Sequence, residues 1–240
     1  MKIVIIGYGK MGHEIEKVAR ERGHSVVLTI DENNTGDLAP ENLNQADTAI
    51  EFSTPETAAD NILFCLEAGI PVVAGTTGWT HKMEEIKRSC IHHDGTFFYA
   101  SNYSIGVNIF FYLNRKLAAL MERYAQYDVH IREAHHIHKK DSPSGTAITL
   151  AEDIIGKLSR KSSWINGHPL ERAQLPIFSI REGEIPGIHR VIYESEEDTL
   201  ELFHSAKSRR GFALGAVMAA EFIQGKKGCF GMNDLLGLED

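Results

Sequence analysis

Cysteine is scarce in this 240-residue chain, and its three copies, Cys65, Cys90 and Cys229, are far apart and odd in number. Such a set builds no disulfide framework and points to a reducing compartment. Long apolar runs are missing as well. No stretch approaches the roughly 18 consecutive apolar residues of a membrane-spanning helix, and the N-terminus reads as structure rather than as a signal peptide. Basic runs longer than a pair such as Arg209-Arg210 are absent and the formal net charge is -8, which weighs against a general nucleic-acid binder. Internal repeats and low-complexity tracts are lacking too. The expectation is a soluble, cytoplasmic protein with neither a membrane nor a nucleic-acid partner. What the chain does have is 42% hydrophobic residues, enough for a substantial core in one or two domains. The acidic balance still leaves room for a local positive pocket that receives an anion.

The opening residues carry the first chemical signal. Ile3 to Ile6 form a continuous apolar run suited to a strand buried on both faces. Gly7, Gly9 and Gly12 follow, then Ile15, Val18 and Ala19 recur at helical spacing, and a second apolar run from Val26 to Ile30 ends at Asp31. Strand, glycine-rich turn, helix, strand and acidic residue together predict dinucleotide binding. The glycines let the backbone approach a pyrophosphate, the helix start supplies free N–H groups, and Asp31 accepts hydrogen bonds from a ribose diol. Further strands are predicted in "TAIEFS", "PVVAGTTG" and "TFFYASNYS", with helices in "PETAADNILFCLEAG" and "HKMEEIKRSC". Beyond Asn102 the rhythm changes to long helices and strands separated by turn-rich segments. The fold class expected is α/β: an N-terminal Rossmann-type parallel-sheet domain plus a smaller α+β mixed-sheet domain. Residues 1–103 are expected to bind the dinucleotide and 104–210 to bind substrate and mediate tetramerisation. Residues 211–240 are read as a C-terminal helix, returning to the first domain, and a short tail.

The segment "EAHHIHKKDSPSGTA", residues 133–147, packs three histidines, two lysines and an aspartate into nine positions before a helix start. A metal set of His136, His138 and Asp141 is disfavoured, because Lys139 and Lys140 would place ammonium charge beside the cation; no metal is expected. An anion site fits better. Either Ser142 caps the helix with Pro143 at its first position, or Ser144 is the cap. In both registers Gly145 and Thr146 lie in the first turn, where N–H groups have no intrahelical acceptor. A carboxylate docked there gains the helix dipole. Lys139, His135 and His136 add cationic or proton-bearing groups, and an imidazole can act as a general acid near neutral pH. A nicotinamide cofactor on one domain and an anionic substrate on the other fit reduction of a C=C or C=N bond.

"HHIHKKDSPSGTA" is similar to the HHxxKxDxPSGTA signature of the 4-hydroxy-tetrahydrodipicolinate reductase family, long called dihydrodipicolinate reductase, of bacterial lysine and diaminopimelate synthesis. "AGTTG", "ASNYSIGVN" and the spacing Arg181-x-Gly183…Gly187-x-His189-x-Val191 resemble the same family in its order. The resemblance spans nearly the whole chain. It implies an NADH- or NADPH-dependent oxidoreductase, a small dicarboxylate substrate and a homotetramer assembled through the second domain's sheets. By resemblance, His135 is the proton donor, and Lys139 is a second acid or a carboxylate anchor. His136, Gly145 and Thr146 hold the substrate. Gly7, Tyr8, Gly9, Lys10, Met11 and Gly12, then Gly75, Thr76 and Thr77, then Ala100, Ser101, Asn102 and Tyr103 contact the cofactor. Two departures stand out. The loop GYGKMG is one residue shorter than the common GxxGRMG form, so Gly9, Met11 and Gly12 align more firmly than Gly7. Asp31 is followed by Glu32, Asn33 and Asn34, where many relatives have an arginine suited to a 2′-phosphate. A carboxylate at Asp31 repels that phosphate and favours the free hydroxyl of NADH, with Lys10 the one cation placed to compensate. The other reading, a Rossmann-type binding or sensor protein without chemistry, would be expected to lose His135 or Lys139 first; both are present.

Overall fold

The first apolar runs become strands because each residue has a hydrophobic partner on its own side of the sheet. In β1 (Lys2–Ile6), Ile3 and Ile5 share a core layer with Ile15, Val18 and Ala19, whereas Val4 and Ile6 share one with Ala58, Ile62 and Leu66. The computed structural model describes residues 1–238. From β1 the chain enters α1 (Lys10–Glu21) and β2 (Ser25–Ile30), then a short α2 (Pro40–Leu43) and β3 (Thr48–Glu51). Next come α3 (Pro55–Glu67), β4 (Val72–Ala74), α4 (Met83–His92) and β5 (Thr96–Tyr99). The strand expected over "PVVAGTTG" is confined to its three buried residues; the polar remainder is loop at the sheet's carboxyl edge.

In the second unit, α5 (Ile105–Met121) leads to β6 (Asp128–His135), and α6 (Gly145–Ile155) to β7 (Ser163–Asn166), β8 (Gln174–Arg181), β9 (Ile188–Glu194) and β10 (Thr199–Ser205). Their sheet runs β10-β9-β6-β8-β7, parallel at β6/β8 and β7/β8 and antiparallel at β6/β9 and β9/β10. It is mixed, as expected from sequence, though β7 was not foreseen. Val129 and Ile131 of β6, with Leu175, Ile177, Val191 and Tyr193, pack against Phe110, Ala118, Leu150 and Ile154 of the helices. The alternation that buries Val129 and Ile131 buries Glu133 and His135 with them.

The chain then forms α7 (Arg210–Phe222), β11 (Gly228–Phe230) and α8 (Met232–Leu236). Ala213, Ala216, Val217 and Ala220 of α7 fill the layer that holds Ile15 and Val18. The segment expected as a mere tail supplies the sixth strand, and the parallel sheet reads β11-β5-β4-β3-β1-β2. Two units result: Met1–Ile105 with residues 209–238, and Gly106–Ser208. No helix among the described residues is long and apolar enough to cross a membrane.

Candidate active site

In the first unit the strand order reverses at β1, between β2 and β3, the place where open parallel sheets leave a crevice. A cavity of about 740 Å³ opens there, floored by Gly7, Tyr8 and Gly9 and walled by Asp31, Glu32, Phe52 and Ser53. The glycines have separate tasks. Gly7 has φ +95°, and a Cβ on it would lie 2.1 Å from the Phe52 carbonyl oxygen; one on Gly12 would lie 2.6 Å from the Gly7 carbonyl oxygen. Those two let the turn close, whereas Gly9, the N-cap of α1, faces open space and brings no capping side chain. The first-turn N–H groups of α1 are thus left for a ligand, and the crevice fits a pyrophosphate.

Asp31 and Glu32 line the cavity, and among its described lining residues there is no lysine or arginine; Lys10 is exposed and not one of them. The Asp31 carboxylate accepts the Asn33 N–H at 2.7 Å, and Asn34 accepts the Asp31 N–H at 2.7 Å. Met11 packs on the core formed with α7. Several other residues expected at the cofactor turn their side chains inward. Thr76 donates its hydroxyl to Glu51 at 2.9 Å, and Tyr103 donates its own to the Ala74 carbonyl at 2.7 Å. Burial raises the Tyr103 phenol well above its ordinary range. Ala100 is buried, and Asn102 accepts the Ser104 N–H at 2.9 Å. Gly75 lies against the Phe52 ring, while Ser101 and Thr77 are exposed. Glu51, fully buried, was missed in the sequence. One of its oxygens accepts the Ser53 N–H at 2.8 Å as well as the Ser53 and Thr76 hydroxyls, tying the loops after β3 and β4 together. Burial raises its carboxyl, against those hydrogen bonds. Its signal was an acid inside the apolar run "TAIEFS".

In the second unit the histidine segment sits at the carboxyl end of β6. Glu133 is 1% exposed, and its two oxygens are both engaged. One contacts Nδ1 of His135, and the other accepts from Nη2 of Arg181 at 2.9 Å and from the Ser144 N–H at 3.3 Å. Burial alone would raise this carboxyl, but bonds from His135, Arg181 and Ser179 together hold it at about 2. Arg181 also donates to the Asp141 carbonyl at 2.7 Å, and Lys139 Nζ pairs with the Asp141 carboxylate at 2.7 Å. His189, from β9, meets the Ser144 hydroxyl at 3.1 Å; burial, then the neighbouring His135, pushes its imidazole down to about 3, so it is neutral at physiological pH.

Of the two capping registers, the structure takes Ser144: its Oγ accepts the Ala147 N–H at 3.2 Å, and Gly145 begins α6. Ser142 and Pro143 lie outside the helix, joined by a cis peptide. Gly145 is exposed with open space where a Cβ would stand, and Thr146 beside it is half-buried. His136 donates its backbone N–H to the Ile185 carbonyl at 2.8 Å and leaves its ring Nδ1 buried without a partner. His138 points instead to Glu184 on the exposed surface, 3.3 Å away.

The residues weighed for a metal therefore do not converge, but another trio does: ligand atoms of Glu133, His135 and His189 lie within 4.8 Å of one another. Arg181 at 2.9 Å from Glu133 places a fixed positive charge beside any cation there, and both carboxylate oxygens already accept hydrogen bonds. Glu133 and His135, extended by Arg181 and Ser144, form a hydrogen-bonded network that the neutral His189 joins through the Ser144 hydroxyl. Glu133, Arg181, Ser144 and His189 were not singled out from sequence as site residues. The signal for Glu133 was its shared parity with His135 on an alternating strand.

Comparison with known proteins bears on both units. The family described as dihydrodipicolinate reductase, N-terminus, matches residues 1–103, and its C-terminal counterpart matches residues 106–236. The chain belongs to the dihydrodipicolinate reductase family. Among curated members, the 4-hydroxy-tetrahydrodipicolinate reductase of Christiangramia forsetii is 46% identical over 98% of each chain. That of Neisseria meningitidis is 35% identical over 82% of this chain and 75% of its own. The fold also resembles a solved dipicolinate-bound dihydrodipicolinate reductase from Paenisporosarcina sp. TG-14, with TM-score 0.78, 24% identity and 98% coverage of both chains.

Proposed function

We propose that this member of the dihydrodipicolinate reductase family reduces 4-hydroxy-tetrahydrodipicolinate, by way of dihydrodipicolinate, to tetrahydrodipicolinate in lysine and diaminopimelate biosynthesis. The observation that carries the reading is the buried Glu133–His135 pair beside the open first turn of α6. Bound reduced nicotinamide supplies the hydride. His135 enters the step doubly protonated, delivers the proton from Nε2, the nitrogen that Glu133 leaves unclaimed, and keeps its hydrogen on Nδ1 against that carboxylate. The Gly145 and Thr146 N–H groups and the Thr146 hydroxyl receive one substrate carboxylate, and Lys139 exchanges Asp141 for another. His136 adds its unpartnered ring nitrogen to the same pocket.

The cofactor is assigned to the crevice at Gly7–Gly12 and Asp31, with the loops 75–77 and 100–103 completing its site. Acidic walls at Asp31 and Glu32 favour a free ribose hydroxyl over a 2′-phosphate, so NADH serves at least as well as NADPH. A homotetramer is supported by the open face of the mixed sheet, where Ile180 and Phe203 are 49% and 53% exposed. The cytoplasm is the compartment that fits the pathway and the free cysteines. Consumption of reduced cofactor only when freshly generated substrate is present tests the activity. Sedimentation at a mass near that of one chain would contradict the tetramer.

A further inference from the structure

We propose that Glu133 and Arg181 are positioning residues for His135, fixing which ring nitrogen carries the exchangeable proton and holding the imidazole in register with the start of α6. The inference rests on the reading of His135 as proton donor. It begins from an apparent waste: Glu133 occupies a position whose strand neighbours Val129 and Ile131 are apolar core. Burying a carboxylate is costly unless it is paired, and a hydrophobic residue would fill that position at lower cost. The carboxylate must therefore do something an apolar residue cannot.

Its contacts say what. An ionised carboxylate only accepts hydrogen bonds, so the His135 Nδ1 that meets it carries a hydrogen, and Nε2 is the nitrogen left to exchange a proton. That nitrogen faces Gly187, where a Cβ would come within 3.1 Å of it; glycine keeps the space beside Nε2 free. The charged and titratable groups around His135 come from every neighbouring element. Glu133 is on its own strand, Arg181 on β8, His189 on β9 with its ring centroid 5.1 Å away, and Lys139 and Asp141 on the following loop. His189 is neutral and already engaged with Ser144, so among the described residues Glu133 supplies the one direct anionic contact to the imidazole.

Arg181 and Ser144 extend the same carboxylate outward. The guanidinium spans from Glu133 to the Asp141 carbonyl, in the loop that carries Lys139, and the Ser144 N–H ties Glu133 to the cap of α6. One buried anion thus sets the proton donor, the lysine loop and the carboxylate-receiving helix turn relative to one another.

The test uses Glu133→Gln in the full-length protein, with pyridine-2,6-dicarboxylate as a non-reacting probe of the substrate site. Expected are a kcat lower by roughly 10–100-fold, the range seen when supporting partners of a functional histidine are removed, and affinities for probe and NADH within about threefold of wild type. The ¹⁵N resonances of His135, assigned by their loss in His135→Gln, should show a Nδ1-protonated ring in wild type and a mixture of tautomers in the variant. A purely structural role would lower thermal stability and leave the tautomer unchanged. Arg181→Lys, which keeps the charge but not the fork, should retain the tautomer and lose less of kcat. Should Glu133→Gln fail to fold, Glu133→Asp carries the same two readings, since it withdraws the carboxylate by one methylene. Wild-type kcat with an unaltered His135 tautomer in the folded variant overturns the proposal. A wild type that holds the Nδ1-protonated ring yet turns over no substrate defeats the reductase reading and leaves the positioning intact, so the two failures are distinguishable.

Discussion

In the crevice after β1 the backbone offers the polar groups, whereas at the end of β6 the side chains do. Gly7 and Gly12 close the first turn and Gly9 opens it, while the hydroxyls of Thr76 and Tyr103 are taken by Glu51 and the Ala74 carbonyl. At the second site Arg181 and the Ser144 N–H bond to Glu133, Glu133 bonds to the His135 imidazole, and His189 joins through the Ser144 hydroxyl. The charges differ accordingly: the crevice walls bear Asp31 and Glu32 with no lysine or arginine among the described lining residues, and the histidine site pairs Arg181 with Glu133 and Lys139 with Asp141. A nucleotide held by N–H groups needs little positive side-chain charge, but a small dicarboxylate with a developing negative charge needs both cations and a proton.

If the chemistry resides in the second unit, substitutions there should alter turnover and those in the crevice should alter cofactor use. The largest effect is expected from His135→Ala, which should lower kcat by roughly two to four orders of magnitude, the range for a positioned general acid. NADH affinity, measured by fluorescence titration, should scarcely move. A near wild-type kcat would remove His135 from the mechanism and blur the division of labour. Thr146→Val keeps the backbone N–H and deletes the hydroxyl. It should raise KM by the equivalent of about 1.5–3 kcal/mol, the worth of a hydrogen bond to a charged group. A fall in kcat at constant KM would move Thr146 from binding to chemistry. On the other side, Asp31→Ala should shift the ratio of kcat/KM values toward NADPH, read at low ionic strength where screening is weakest. A strong NADPH preference unchanged by the substitution would show that Asp31 does not face the ribose.

Acid stability sharpens the contrast. His189 falls from 6.5 to about 3 on folding and Glu133 from 4.5 to about 2, so the folded state binds fewer protons than the unfolded chain at both. Stability is therefore full above about pH 6.5 and is lost as pH falls, first through His189 and then through Glu133, at no more than about 1.4 kcal/mol per pH unit for each proton. Glu51 has the opposite sign: its raised carboxyl contributes below its unfolded value, and that contribution is lost as pH rises. Urea melts of wild type and His189→Asn between pH 7 and 4 should show a flatter decline in the variant; equal slopes would contradict a buried neutral His189. The smallest effect is on the cap: Ser144→Ala should cost about 1 kcal/mol of stability.

What the sequence revealed follows the same divide. The glycine loop was readable because a backbone requirement is written in consecutive residues, and the parallel sheet because its strands are buried on both faces. In the histidine segment the helix start at Gly145 was readable because the α6 cap and its first turn are local too. The partners of His135 were not, since Arg181 lies 48 positions from Glu133 and His189 lies 45 from Ser144, and only strand pairing brings them together. The short β7 and β11 escaped notice because three or four residues carry too little periodicity, and β11 is defined by pairing with β5 across the length of the chain.

The central claim is that this fold reduces its substrate with a bound nicotinamide and an imidazole proton, without a metal. Its most direct test is the stoichiometry of turnover by protein dialysed against EDTA. Freshly generated 4-hydroxy-tetrahydrodipicolinate is supplied, and reduced nicotinamide and tetrahydrodipicolinate are measured together. The account predicts one NADH oxidised for each product formed, at a rate equal to that of undialysed protein. No turnover, or a rate abolished by EDTA and restored by a divalent cation at the Glu133–His135–His189 trio, would contradict it.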